Sequence, residues 1–433
     1  MKVGIVREAR GGENRVALVP ETVEKLVRDG FEVLVESGAG REYHPDEEYR
    51  EAGARVAESA GEVFGSADIV LKVQRPTQEE LPLLREGSVL ITSIQPAFYP
   101  ELVQRIAAAG VTLFSMDLIP RITRAQAMDT LSSMASLAGY KAVLLGANAL
   151  GKYLPMMTTA AGTTRAAKVL VLGAGVAGLQ AIATARRLGA EVEAFDIRPE
   201  TKEQIESLGA RFLESAEPGG AAAEEEEVVE EERVLSPFAR LMVALGFYSF
   251  AERDGKEEGP EAGIAEEAES GASTGGYATV QPEEKQRRDR EMIRERLREM
   301  DLVITTAAVP GRRAPVLITK DMVEEMRPGT VIVDLAAETG GNCELTVPGK
   351  VVEHNGVRIH GPLNLPGSVP VHASQMYSRN MYALLSYLAD RDEEGNLRLK
   401  LDFEDEITDA ACVTHAGEIR HAPTREALEG GES

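Results

Sequence analysis

Short apolar runs alternate with amphipathic stretches along the first third of the chain. The runs KVGIV, EVLVE, DIVLKVQ, SVLIT and VTLFSM have the length and composition of β-strands. The stretches between them repeat apolar positions with helical spacing and predict helices over 20–30, 46–60 and 99–110. Such alternation is typical of a parallel sheet that helices cover on both faces.

A second series of strand-like runs begins at residue 168 and contains KVLVLG, EVEAFD, DLVITT, TVIVDL and VRIHG. Two series predict two lobes, each built on its own sheet. The predicted fold class is therefore α/β, with two Rossmann-like, doubly wound parallel-sheet lobes. A length of 433 residues is sufficient for two domains with separate cores.

An acidic segment interrupts the second series. Residues 214–270 contain 17 acidic and 4 basic residues, so they supply −13 of the formal net charge of −24. We interpret 215–272 as an acidic insertion, because most of it is too polar to build a hydrophobic core. Its apolar stretch 237–250 is too short to span a membrane and predicts either a helix packed on its own lobe or a docking segment.

Charge and composition argue against several classes of function. Nucleic acid is not an expected partner, because phosphate binding requires clustered Lys and Arg. No run of about 18 apolar residues predicts a membrane span. Cys343 and Cys412 lie far apart without a CxxC partner, so we expect reduced thiols in a core. No cluster of His, Cys and carboxylates has metal-ligand spacing, and no GxSxG sequence indicates a serine nucleophile.

A glycine-rich motif is placed as dinucleotide-binding proteins place it. Gly173, Gly175 and Gly178 form GxGxxG between an apolar run and a helical stretch. Asp196 ends the next apolar run, 23 residues after the first glycine. An Asp there can bind ribose hydroxyls and repels a 2′-phosphate, which favours NAD(H) over NADP(H), although nearby Arg198 is a residue type that accepts such a phosphate. The alternative is a strand–turn–helix with packing glycines only.

The stretch RITRAQAMDTLSS, residues 121–133, combines many hydrogen-bonding side chains with no His or Cys. It lies where a strand ends and a helix begins. Hydride transfer between two nicotinamides moves no proton and therefore needs no general base; it needs two rings held in the right orientation. The stretch is suited to that task. The alternative is a polar segment that caps a helix.

Several long motifs give the chain a resemblance to a known family. ENRVALVPETVEKL, RITRAQAMD, GAGVAGLQAIATARRLGA, ITTAAVPGRRAPVLIT, VDLAAETGGNC and GPLNLPGSVPVHAS resemble the soluble NAD(H)-binding first domain of proton-translocating nicotinamide nucleotide transhydrogenases. Alanine dehydrogenases are related and share the two-lobed architecture. The resemblance implies hydride transfer from NADH to NADP⁺ held on a partner subunit, coupled to transmembrane proton movement.

The resemblance also implies an assembly and a domain organisation. We expect a homodimer that binds an NADP(H)-binding domain and membrane-spanning subunits, and so a cytoplasmic protein peripheral to the inner face of the cell membrane. The helical stretch 372–390 is expected to return to the first lobe. That lobe is then discontinuous, with residues 1–131 plus 368–433, and the NAD-binding lobe covers 132–367.

Site residues are implied by matching positions. Arg121, Gln126 and Asp129 are expected at the reacting nicotinamide, and Tyr277 is expected to close over bound nucleotide. The implied cofactor contacts are Arg121, Ile122, Thr123, Arg124, Gln126, Asp129 and Ser132, then Gly173, Gly175, Val176, Gly178, Asp196, Ile197 and Arg198, and finally Gly276, Tyr277 and Ala308.

Two other functions remain open at this stage. An alanine dehydrogenase must bind a carboxylate and handle protons, typically with Arg, Lys and His in the first lobe. This chain has Arg15 and Lys72, which we interpret as structural, and Gln95 where such an enzyme has its His. A non-enzymatic NADH-sensing module would bind nucleotide without a hydride acceptor, and the polar stretch at 121–133 argues against it.

Overall fold

The computed structural model describes residues 1–215, 283–308 and 313–430. It divides into a first unit, Met1–Lys141 with Asn364–Ser433, and a second unit, Ala142–Leu363. The divisions fall at 141/142 and 363/364 rather than at the predicted 131/132 and 367/368. Helix α5, Thr130–Ala149, continues through the first of these points, so no break in the sequence pattern marks it. Most of the acidic insertion, including 237–250, and the Gly276–Tyr277 loop lie outside the described residues.

The first unit contains an eight-stranded sheet in the order β19-β18-β6-β5-β4-β1-β2-β3. Its strands are β1 Lys2–Ile5, β2 Glu32–Glu36, β3 Arg55–Ala57, β4 Ile69–Leu71, β5 Val89–Thr92, β6 Thr112–Ser115, β18 Cys412–His415 and β19 Glu418–Ile419. The first six are parallel in the 3-2-1-4-5-6 order of a Rossmann sheet, and the last two form an antiparallel edge.

Helices cover both faces of this sheet. They are α1 Pro20–Arg28, α2 Asp46–Glu51, α3 Ala60–Ser66, α4 Pro100–Ala108, α5, α10 Pro370–Leu388, α11 Glu406–Ala411 and α12 Ala422–Gly430. Alternate strand residues belong to two apolar clusters: Ile69 and Leu71 belong to one, and Val70 to the other. That period of two is expected for a strand buried on both faces.

The predicted helix over 46–60 is wrong. The structure has α2, then strand β3, then α3 in this region. Gly53 adopts a left-handed backbone with φ of 90°, which ends the first helix. Residues 55–57 then pair in parallel with β2. Helical spacing continues through the glycine in the sequence, but pairing with a distant strand decides the conformation.

Helix α10 packs in the core of the first unit, although it follows the second unit in the sequence. Its residues Tyr377, Met381 and Leu384 are buried in the same cluster as β1 and β4. Two of its serines also bind the backbone of the segment before α1: the Val16 N–H donates to Ser374 Oγ and the Val19 N–H to Ser378 Oγ, both at 3.1 Å. The hairpin of β16 Ala389–Arg391 and β17 Leu397–Leu399 follows the helix.

The second unit contains a second sheet of the same type, in the order β11-β10-β9-β12-β13-β15-β14. Its strands are β9 Lys168–Leu172, β10 Glu191–Phe195, β11 Arg211–Phe212, β12 Leu302–Thr305, β13 Val331–Asp334, β14 Val351–His354 and β15 Val357–His360. All pairs are parallel except β14 with β15. The predicted pair of Rossmann-like units is therefore confirmed.

The remaining elements of the second unit are helices and one exposed hairpin. They are α6 Val176–Arg187, α7 Thr201–Ser207, α8 Glu283–Leu297, α9 Lys320–Glu324, and the hairpin of β7 Met157–Thr159 and β8 Gly162–Thr164. Across 1–215, 283–308 and 313–430, no helix is long and apolar enough to cross a membrane. Cys343 and Cys412 are both buried and form no disulfide.

Candidate functional site

The GxGxxG motif forms the turn from β9 into α6, and its three glycines have different surroundings. Gly173 has a φ of 102°, and a Cβ there would lie 2.6 Å from Thr306 Oγ1. A Cβ on Gly178 would collide with the carbonyl oxygen of Gly173. Gly175 has an ordinary extended backbone, and a Cβ there would meet nothing within 4 Å. Packing therefore requires the first and third glycines, while the flank of Gly175 is open.

That open flank lies at the N-terminus of a twelve-residue helix. Gly175 is the residue before the helix and has no side chain with which to cap its first N–H groups. Unsatisfied N–H groups and the helix dipole together attract anions such as a pyrophosphate. The turn also lies at the carboxyl end of β9, beside β12, where the strand order reverses. Open α/β sheets bind their ligands at such a point.

Asp196 follows β10 and holds the turn through its carboxylate. Oδ2 accepts from the Ala174 N–H at 2.7 Å, and Oδ1 accepts from the N–H and Nε of Arg198 at 3.0 and 2.9 Å. Burial alone would raise the pKa of Asp196, but the hydrogen bonds from Arg198 and Ala174 outweigh it and lower the pKa below its usual value of 3.8. Arg198 is therefore held by a carboxylate and is poorly placed to welcome a 2′-phosphate.

The carboxyl end of β12 packs against the same turn. Thr306 Oγ1 donates to the Gly173 carbonyl oxygen at 3.1 Å. The next residue, Ala307, is held by the fully buried side chain of Asn342, whose Nδ2 donates to the carbonyl oxygens of Ala307 and Pro315, each at 2.8 Å. Ala308, a predicted cofactor contact, is exposed one residue further along.

Asp334 anchors this arrangement from the end of β13, although sequence reasoning did not single it out. It is fully buried and accepts from Thr305 Oγ1 at 2.8 Å, from the Asn342 and Cys343 N–H groups at 2.8 and 3.0 Å, and from Thr346 Oγ1 at 2.6 Å. The motif VDLAAETGGNC contains this Asp and its partners, so the resemblance marked the segment without giving its role. Its task is to fix the loop beside the glycine turn.

The polar loop, residues 121–129, belongs to the first unit. It contains a 3₁₀ helix over Thr123–Met128, in which Ala125 and Met128 are buried. The side chain of Gln126 is exposed, as are those of Arg121 and Thr123, and Ile122 is partly buried. The loop therefore presents hydrogen-bonding groups on the surface of the first unit while its apolar residues fix it to the core.

Asp129 and Ser132 lie together at the start of α5. The carboxylate of Asp129 accepts from the Ser132 N–H at 2.8 Å and from Ser132 Oγ at 2.5 Å. This is the geometry of a helix N-cap, so the capping interpretation holds for these two residues. It does not extend to Gln126, whose side chain is exposed within the preceding 3₁₀ helix.

Arg15 and Lys72, the candidate carboxylate-binding residues of a dehydrogenase, are buried in ion pairs. Arg15 donates twice to Glu13, at 2.8 and 2.6 Å. Lys72 lies 2.8 Å from Glu80 and 3.3 Å from Glu8. Three carboxylates thus surround two cations, and both cations serve internal pairing.

The remaining predicted contacts divide into two groups. Val176 and Ile197 are partly buried beside the glycine turn, consistent with backbone contacts, whereas Gly276 and Tyr277 lie outside the described residues. Among the residues that are described, no group of His, Cys, Asp and Glu could hold a metal ion.

Two family models match almost the whole chain. "Alanine dehydrogenase/PNT, N-terminal domain" matches residues 4–138, and "Alanine dehydrogenase/PNT, C-terminal domain" matches residues 142–422. The chain therefore belongs to the alanine dehydrogenase/PNT family.

Within that family, transhydrogenases are nearer relatives than alanine dehydrogenases. The first of the chains that make up NAD(P) transhydrogenase subunit alpha in Rhodospirillum rubrum is 41% identical over 428 residues, which cover 97% of this chain and 98% of that protein. The crystal structure of transhydrogenase from Sinorhizobium meliloti has a TM-score of 0.76 and 40% identity, covering 97% of this chain and 100% of that one. Alanine dehydrogenase of Bacillus subtilis is 28% identical over 381 residues, 86% of this chain and 81% of that protein. The predicted resemblance is confirmed.

Proposed function

We propose that this chain is the NAD(H)-binding subunit of a proton-translocating transhydrogenase. It binds NADH and passes hydride to NADP⁺ held on a partner subunit, and membrane-spanning subunits couple the exchange to proton movement. The similarity to transhydrogenase alpha subunits over nearly the whole chain supports this assignment. The proposal includes a homodimer located at the cytoplasmic face of the membrane.

The glycine turn of the second unit carries the choice of cofactor. The open flank of Gly175 and the uncapped N-terminus of α6 fit a pyrophosphate. Asp196 lies at the adjacent strand end, where it can accept from ribose hydroxyls while it holds Arg198. A 2′-phosphate would meet this carboxylate, so the turn suits NAD(H) and the NADP(H) site belongs to the partner.

The polar loop carries the proposed chemistry. When bound, the nicotinamide supplies or accepts the hydride. Gln126 and Arg121 are exposed, so they can bind carboxamide and ribose groups and orient the ring. Asp129 and Ser132 fix the start of α5 from which the loop projects. None of these groups has to move a proton, which agrees with a direct hydride exchange.

An alanine dehydrogenase activity is the alternative within the same family. It is disfavoured because Arg15 and Lys72 are already paired with buried carboxylates. The residue at the position expected for its His is Gln95, which cannot exchange a proton at neutral pH.

Isotope transfer tests the proposal directly. The purified chain is mixed with the NADP(H)-binding subunit of its own complex, NADH deuterated at the transferable position, and NADP⁺. We expect label in NADPH only when both proteins are present. Alanine-dependent reduction of NAD⁺ by the chain alone would overturn the proposal in favour of the dehydrogenase. NADH binding without label transfer would favour a sensing module instead.

A further inference from the structure

Helix α10 holds the backbone of the polar loop through one buried amide. Asn380 is 7% exposed, and its Nδ2 donates to the carbonyl oxygen of Ala127 at 2.7 Å. Ala127 is the residue next to Gln126. The two partners are 253 residues apart in sequence, so this contact exists only because the first unit is discontinuous.

A second, more exposed contact anchors the loop at Arg124. Its Nη1 lies 3.5 Å from Asp405 Oδ1 and 3.4 Å from the hydroxyl of Tyr387, which itself donates to Asp405 Oδ1 at 2.7 Å. Arg124 was a predicted cofactor contact, but in the structure it faces its own chain. Because its side chain is 61% exposed, water screens this ion pair and the buried amide is the stronger anchor.

The loop has little else to define its backbone. A 3₁₀ helix is a short element with poor hydrogen-bond geometry. Within it the Ala125 N–H donates to the Ile122 carbonyl, and the Asp129 N–H donates to the Gln126 carbonyl at a longer 3.3 Å. A buried carbonyl such as that of Ala127 would be costly to leave unpaired. Removal of its partner therefore favours a shifted loop.

We propose that Asn380 is a positioning residue for hydride transfer: by binding the Ala127 carbonyl, it fixes the backbone that presents Gln126. The inference rests on the proposed function, because it assigns Asn380 a role in the same exchange. Asn380 acts on the loop alone, so its loss should disturb the orientation of the reacting ring rather than the adenosine half of the cofactor.

The test compares Asn380→Ala with Ser378→Ala in the full chain. Ser378 is the matched control because it is fully buried on the same helix and makes one hydrogen bond, to the Val19 N–H, away from the loop. We expect Asn380→Ala to slow label transfer to NADP⁺ roughly 10- to 100-fold, since small misplacements of reacting groups cost that much. The Kd for NADH should stay within about twofold. Gln126→Ala should show the same division, and Ser378→Ala should exchange hydride like the wild type.

Two further variants separate the hydrogen bond from packing. Asn380→Leu keeps a similar volume without a donor and should be as slow as Asn380→Ala, whereas Asn380→Gln keeps an amide donor and should recover part of the rate. Amide hydrogen exchange supplies a readout that needs no partner. The amides of Ala125 and Asp129 should exchange faster in Asn380→Leu than in Ser378→Ala.

The outcomes distinguish the two proposals. If the wild-type chain transfers no label, the proposed function itself fails. If the wild type is active but Asn380→Leu matches it, or NADH affinity falls as much as the rate, the positioning role is overturned. Unchanged amide exchange in the loop would overturn it as well.

Discussion

Asp196 binds two partners at once, the glycine turn and Arg198. Its side chain is 8% exposed and accepts hydrogen bonds at both oxygens. Although burial opposes them, these bonds stabilise the charged form, so its pKa in the folded protein lies below the usual 3.8. A depressed carboxyl pKa contributes stability that is present above the unfolded pKa and is lost as the pH falls through the folded one.

We therefore predict two effects of Asp196→Asn. Affinity for NADH should fall by about 1–3 kcal/mol, because charge-assisted hydrogen bonds at the ribose position are lost. The free energy of unfolding should also fall at neutral pH, and its difference from the wild type should shrink as the pH drops below 3.8. Titration calorimetry and urea unfolding across pH measure both. A stability difference that does not change with pH would show that the carboxylate charge is unimportant.

At this scale, sequence reasoning found the residues that belong to local motifs and missed those that act across long separations. The glycines and Asp196 form a recognisable strand–turn–helix pattern. The residue type of Asn380 is uninformative in a helix, and its partner lies 253 residues away. Asn342 is similar, since its bonds to Ala307 and Pro315 depend on the packing of β12 against β13. One sequence alone contains no record of such pairings.

The turn between β9 and α6 is an element in which packing and ligand binding can be separated. A methyl group at Gly175 has free space, whereas one at Gly178 meets the Gly173 carbonyl. The open space is where a pyrophosphate would approach the backbone.

We predict opposite outcomes for the two substitutions. Gly175→Ala should keep the melting temperature within about 2 °C of the wild type but weaken NADH binding at least about tenfold, because the methyl group excludes the pyrophosphate. Gly178→Ala should lower stability by roughly 1–3 kcal/mol or more, as overpacking does. Thermal unfolding and NADH titration of both variants decide the matter. Normal NADH affinity in Gly175→Ala would rule out this turn as the pyrophosphate site.

The strands were predicted well because a parallel sheet buried on both faces requires continuous apolar runs. Short edge elements were not predicted: β3 was assigned to a helix, and the exposed hairpin β7–β8 has no apolar run to reveal it. Edge strands depend on neighbours for their pairing, so their own composition defines them weakly.

At the scale of the whole molecule, the charge is strongly negative and unevenly distributed along the sequence. Residues 214–270 contain 17 acidic and 4 basic residues of a chain with net charge −24. A dianionic nucleotide is repelled by such a field, and the repulsion extends about 30 Å at 0.01 M salt but only about 10 Å at 0.1 M.

We predict that replacing residues 216–272 with an uncharged Gly/Ser-rich segment of equal length speeds NADH association at low ionic strength. The advantage should disappear as salt is raised, because screening removes the repulsion in both proteins. Stopped-flow mixing at several salt concentrations measures it. A variant with the same residues in scrambled order retains the charge and should associate like the wild type. Equal rates for all three proteins at low salt would show that the segment's charge does not reach the binding site.

The discontinuity of the first unit also determines the order in which the protein can fold during synthesis. Residues 142–363 are contiguous, so the second unit has its whole sheet available as soon as they leave the ribosome. The first unit is started earlier but must wait for residues 364–433, which bring the serines that bind the Val16 and Val19 amides and the strand that pairs with β6. Until then the apolar face that α10 covers stays open to water, so the half made first is finished last and depends longest on chaperones.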